Sequence, residues 1–79
     1  MIAYTIKVYL TDGTWGYCRP NDRGGFNLTD DVSSTVYFDT VQEAKDYYYR
    51  YIKGFRNERT GVEVDGSRCS IIQVSAPCF

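Results

Sequence analysis

An α+β fold is predicted: one four- or five-stranded antiparallel sheet with a single helix packed on one face, in the order β-hairpin, short strands, helix, β-hairpin. Three observations carry it. Apolar residues recur at every second position from Ile2 to Leu10, a capping box stands at Thr40-Val41-Gln42-Glu43, and a second alternating run follows the Asp65-Gly66 pair. With 79 residues the chain is expected to be a single domain, 1–79, in which folding hides only about 60% of the surface an unfolded chain exposes.

The first strand follows from Ile2, Tyr4, Ile6, Val8 and Leu10 on one face and Ala3, Thr5, Lys7 and Tyr9 on the other, the period of a half-buried strand. Asp12-Gly13 is a strong hairpin signal, because a type I' turn needs positive φ at both central residues. A two-residue loop would pair Leu10 with Trp15, Val8 with Tyr17 and Ile6 with Arg19. Trp15 and Tyr17 would then join the buried face, and Gly16 would lie opposite Tyr9.

Residues 20–34 are polar and glycine-rich. They are expected to hold a turn at Gly24-Gly25, a brief strand with Phe26 and Leu28, and a turn at Thr29-Asp30-Asp31, where the aspartates serve as turn and capping residues. Thr35-Val36-Tyr37-Phe38 predicts a further short strand.

The helix starts at the capping box, in which the Thr40 hydroxyl accepts from the Glu43 N–H and Glu43 reaches back to the Thr40 N–H. At about 100° per residue, Val41, Ala44, Tyr48, Tyr51, Ile52 and Phe55 form the inward stripe. Tyr47 and Tyr49 flank it. Gly54 fits the left-handed position beyond the last turn. After a polar connector, Val62-Glu63-Val64 and the run from Arg68 to Ser75 predict a second hairpin around Asp65-Gly66, with Ile72 and Val74 in the core and Pro77 ending the strand.

Composition removes several function classes. There is no histidine, so Ser-His and Cys-His catalysis and His-containing zinc sites are out of reach. Net charge is −1, with nine basic and ten acidic residues, which argues against a dedicated phosphate-backbone binder and against an acidic mimic of DNA. Cys18, Cys69 and Cys78 form neither a C-x-x-C pair nor an even framework. Reduced thiols are expected, with a Cys18–Cys69 bridge as the alternative. The start lacks the basic leader and apolar core of a secretion signal, and no apolar run approaches the roughly 18 residues of a membrane span. A cytoplasmic protein without cofactor, metal or membrane contact is expected.

Two constellations remain. Tyr47, Tyr48, Tyr49 and Tyr51 crowd one helix, and tyrosines at the margin of a small core make good interface anchors. Beside them, Arg50, Lys53, Arg56 and Arg59 make a basic helix end that also answers the helix dipole. The candidate partner-binding residues are therefore Tyr47, Tyr49, Arg50, Lys53 and Arg56, with Arg23 and the Gly24-Gly25 loop as a second patch. Cys18 and Cys69 are the nucleophile candidates of an enzymatic reading, and neither has a histidine base.

Ile6-Lys7-Val8 with Asp12-Gly13, then Leu28-Thr29-Asp30-Asp31, then Phe38-Asp39-Thr40 leading into Glu43-Ala44, resembles small phage- and prophage-encoded proteins of Gram-positive bacteria, over about two thirds of the chain. The resemblance implies a non-catalytic protein that blocks a host defence complex by steric occlusion, with a CRISPR effector as the partner of the anti-CRISPR class. The alternative is a small nucleic-acid-associated accessory protein using the basic, aromatic helix end. Unpaired edge strands make either a monomer or a homodimer compatible with the pattern.

Overall fold

The computed structural model describes residues 2–20 and 26–75. Four strands, β1 (Ile2–Tyr9), β2 (Trp15–Pro20), β3 (Phe26–Thr29) and β4 (Ser70–Ser75), form one antiparallel sheet in the order β3-β2-β1-β4. One helix, α1 (Val41–Tyr47), continues as a π-helical segment over Tyr48–Ile52 and covers one face. The expected α+β fold is thus present, with four strands. Gly24-Gly25 and Pro77 lie outside the described residues.

The first hairpin forms, but with a three-residue loop. Leu10 N–H donates to the Thr14 carbonyl at 2.8 Å and Gly13 N–H to the Leu10 carbonyl at 3.0 Å. Gly13 has φ +89° while Asp12 has negative φ, which is a type I turn closed by a left-handed glycine and not a type I' turn. The extra loop residue shifts the register by one: Tyr9 pairs with Trp15, Val8 with Gly16 and Lys7 with Tyr17. Because side chains alternate, this one-residue slip sends every side chain of β2 to the other face. Trp15 and Tyr17 therefore leave the core, and Gly16 and Cys18 enter it opposite the helix.

From Tyr17 on, the other edge of β2 pairs with β3, Tyr17 opposite Thr29, Cys18 opposite Leu28 and Pro20 opposite Phe26, while β2 no longer pairs with β1 beyond Tyr17. Residues 36–38 take its place beside the first half of β1. Tyr4 and Phe38 exchange both backbone bonds at 2.9 and 2.8 Å, and Val36 N–H donates to the Cys18 carbonyl at 3.1 Å. The strand expected at 35–38 is thus reduced to a single bridge, preceded by a 3-10 turn at Val32–Ser34 that Asp31 caps through Ser33.

The second Asp-Gly pair does not close a hairpin. Val64 pairs with Leu10, and Ser70 with Lys7. The chain runs along the same side of β1 in the same direction before and after the turn. Three steps along β1 face six steps from Val64 to Ser70, so the surplus loops out at residues 65–69. Asp65 organises that loop: its carboxylate accepts from Ser67 N–H and Oγ, and its carbonyl from Arg68 and Cys69. Gly66 lacks the positive φ a type I' turn requires. The last strand starts at Ser70 and not at Arg68. Its register turns Ile71 to the helix, while Ile72 and Val74 share the outward face of Thr5 and Ala3.

The helix opens on Thr40, whose Oγ1 accepts from Glu43 N–H at 3.1 Å. Glu43 returns the bond to Asp39 N–H at 3.2 Å and not to Thr40. In an unbroken α-helix Tyr51 would fall about 20° from Ala44 and Ile52 about 80° away. The wider π turn, closed by Lys53 N–H to the Tyr48 carbonyl at 2.8 Å, advances each residue by less. It brings Ile52 under Ala44 and carries Tyr51 to the flank. Ala44 and Ile52 are accordingly fully buried, whereas Val41, Tyr51 and Phe55, expected inward, are exposed. Gly54 has the expected positive φ, as the third residue of a type II turn after Lys53 (φ −59°, ψ 128°). The core consists of Ile6, Val8, Cys18, Phe26, Phe38, Ala44 and Ile52.

Candidate functional site

The register shift creates an aromatic and cationic surface on the sheet face away from the helix. Lys7 and Tyr9 on β1, and Trp15 and Tyr17 on β2, occupy outward positions side by side. The Trp15 ring lies 6.3 Å from Tyr9 and 5.7 Å, edge-on, from Tyr17. Lys7 Nζ stands 4.4 Å from the Trp15 ring centre and 5.3 Å from that of Tyr9. Arg68, from the loop before β4, places its guanidinium 4.6 Å from the Tyr9 ring on the same side of the sheet. Trp15 remains 45% exposed. Cation–π contacts of about 0.5–1 kcal/mol each at exposed sites help hold the Trp15 and Tyr9 rings in place, with Tyr9 and Tyr17 half-buried.

A two-residue loop, as the sequence predicts, buries Trp15 and Tyr17 and so hides this cluster. The signal was present in Thr11-Asp12-Gly13, which also fits a three-residue loop with glycine in the left-handed position.

The residues selected from the sequence are distributed differently. Tyr47 is half-buried, its ring 5.3 Å from Phe38 and 4.8 Å from Tyr51. Tyr49 is 63% exposed, with Lys53 Nζ 4.8 Å from its ring centre, and Arg50 beside it is exposed. These three side chains make a smaller helix-side patch. Arg56 lies apart, 3.7 Å from the Glu63 carboxylate. Arg23 and the Gly24-Gly25 loop fall outside the described residues.

Between helix and β4 opens a cleft of about 280 Å³, lined by Ile6, Lys45, Tyr48, Tyr49, Gly66 and Cys69, among others. Its thiol is already engaged: Cys69 Sγ donates to the Asp65 carbonyl at 3.2 Å and accepts from Tyr9 N–H at 3.4 Å. Burial pushes its pKa up. Burial likewise raises the Cys18 thiol to about 11, against a smaller opposing effect from the Tyr47 hydroxyl. A nucleophilic cysteine needs its thiolate stabilised, and both sites do the reverse. Both thiols are free.

Among the described residues, no group of three or more metal-ligating side chains occurs and no helix is long and apolar enough to cross a membrane. No family model, no curated protein and no solved structure matches the chain.

Proposed function

We propose that this chain is a non-catalytic binding protein that acts by occupying a macromolecular partner with the open face of its sheet. The observation that carries the reading is the exposed Trp15 ring, flanked by Tyr9 and Tyr17 and bracketed by Lys7 and Arg68. A lone tryptophan held in the open by one cationic contact, with Arg68 on the neighbouring Tyr9 ring, adds little to a core, and Trp, Tyr and Arg are the residue types that dominate binding hot spots. The thiols, pushed away from reactivity, favour binding over nucleophilic chemistry. Steric occlusion, the mechanism the phage resemblance implies, is retained. The surface is moved from the helix to the sheet.

The test is capture from a bacterial lysate on immobilised protein, with and without nuclease. A specifically captured species should be lost with Trp15→Ala and with the Lys7→Gln, Arg68→Gln pair, and kept with Tyr49→Ala, Arg50→Ala. The opposite pattern would return the site to the helix. A CRISPR effector among the captured proteins, inhibited by the wild-type chain and not by the sheet variants, would support the phage-type role.

A further inference from the structure

We infer that the open sheet face binds single-stranded nucleic acid, a ligand class that rests on the reading of this face as the binding surface. The first ground is charge segregation. The whole chain is slightly acidic. Yet among the described residues no outward position of any strand carries a carboxylate, while Lys7 and Arg19 are outward and Arg68 covers Tyr9. The nine acids among the described residues lie on turns, the helix or connectors. Phosphates approaching the strands of this face meet Lys7, Arg19 and Arg68, and the carboxylates of Asp12, Asp30 and Asp65 stand on the flanking turns.

The second ground is the geometry of the rings. Tyr9, Trp15 and Tyr17 follow one another across two adjacent strands with centres 6.3 and 5.7 Å apart, and a base stacks on Trp15 or Tyr9 as Lys7 and Arg68, which lie over those rings, turn to the phosphates. Bases stack on aromatic rings with little regard to sequence, while cations along the path hold the backbone. An antiparallel four-stranded sheet bearing such rings accommodates about two or three unstacked bases. A duplex keeps its bases stacked inside and offers none to the rings. A protein partner would have to supply an acidic strip and flat apolar groups at the same spacing, which a polynucleotide has by constitution.

The test is fluorescence anisotropy with a short labelled oligothymidylate, alone and as a duplex with oligoadenylate, over a salt series. Trp15 is the sole tryptophan, so quenching of its emission reports contact at the face itself. The expected result is binding of the single strand, with weaker binding of the duplex and with quenching. With about three phosphate contacts the log–log salt slope should be near −2. Trp15→Ala should weaken binding about tenfold or more. Lys7→Gln with Arg68→Gln should bring the slope below 1 in magnitude. Arg59→Gln, which removes a positive charge away from the face, should alter neither value. Circular dichroism melts confirm folding of each variant, and the Lys7, Arg68 pair serves should Trp15→Ala fail to fold.

Absence of binding at low salt would overturn the inference, as would binding that survives the sheet variants or that is lost instead with Arg50→Gln and Lys53→Gln. If oligonucleotide binding is absent but the sheet variants still abolish capture of a nuclease-resistant protein, the ligand class falls and the reading of the face stands. If neither nucleic acid nor protein depends on the face, both fall.

Discussion

Thr5 and Thr35 share one buried hydrogen-bond path whose direction follows from counting protons. Thr35 Oγ1 donates to the Cys18 carbonyl, so its only proton is used. The 2.7 Å contact between the two hydroxyls must then run from Thr5 to Thr35. The two isosteric changes are therefore unequal. Thr35→Val strands the Thr5 donor and should cost about 1–3 kcal/mol, the penalty of an unsatisfied buried group. Thr5→Val leaves the Thr35–Cys18 bond intact and should cost about 1 kcal/mol or less. Urea unfolding of the two variants measures the difference, and equal losses would contradict the assigned direction. Nearby, the Cys18 thiol is raised from 9.0 to about 11 and the Tyr47 hydroxyl from 10.0 to about 12, each chiefly by burial. The folded state therefore holds protons that the unfolded chain has released. The resulting stability is fully present below about pH 9 and is lost as pH rises toward 11 and 12. Melting temperature should decline over that window, and Cys18→Ala should flatten its lower part. A melting temperature constant to pH 11 would contradict the protonated, buried assignment.

At the scale of the element, the first hairpin decides most about the surface. Gly16 of β2 is buried where the backbone of β3 passes closely: a Cβ there would lie 2.9 Å from Leu28 Cβ and 3.2 Å from the Thr29 carbonyl oxygen. Gly16→Ala forces β2 and β3 apart and should cost about 1–3 kcal/mol. Gly13→Ala meets no neighbour but must hold φ +89°, so its cost is conformational, about 1 kcal/mol. Chemical denaturation separates the two. The alternation of β1 and the cap at Thr40 were legible because both are local, set within four or five residues. The register across the Asp12-Gly13 turn was not, since an Asp-Gly pair serves two- and three-residue loops alike. The end of the helix was hidden for a related reason. Nothing local in Tyr47-Tyr48-Tyr49-Arg50-Tyr51-Ile52 marks a π turn, which forms because Ile52 must reach the core beneath Ala44.

On the scale of the whole molecule, one layer of helix covers one face of the sheet; on the other face Ala3 and Thr5 are buried, while the region around Trp15 and Arg19, and one edge, stay open. β4 is the terminal strand, and Ser70-Ile71-Ile72-Gln73-Val74-Ser75 contains neither a charge nor a proline, the usual guards of an exposed edge. Concentration-dependent association by strand pairing is expected, and Gln73→Lys should reduce it. Sedimentation velocity over a concentration range checks this, and a strict monomer throughout would show the edge to be inert.

The sequence by itself determined the class of fold: alternation in β1, a capped helix and apolar content sufficient for one small core allow little else. It also determined that none of these 79 residues is a histidine. Only the tertiary structure decided which face Trp15 and Tyr17 occupy, that Asp65-Gly66 makes a loop and not a hairpin, and which tyrosines remain exposed. The reason is physical. Periodicity states that two faces exist, but assigning a strand to one of them depends on a one-residue register, and that register is chosen by packing Val8, Cys18 and Ile52 together across the whole chain.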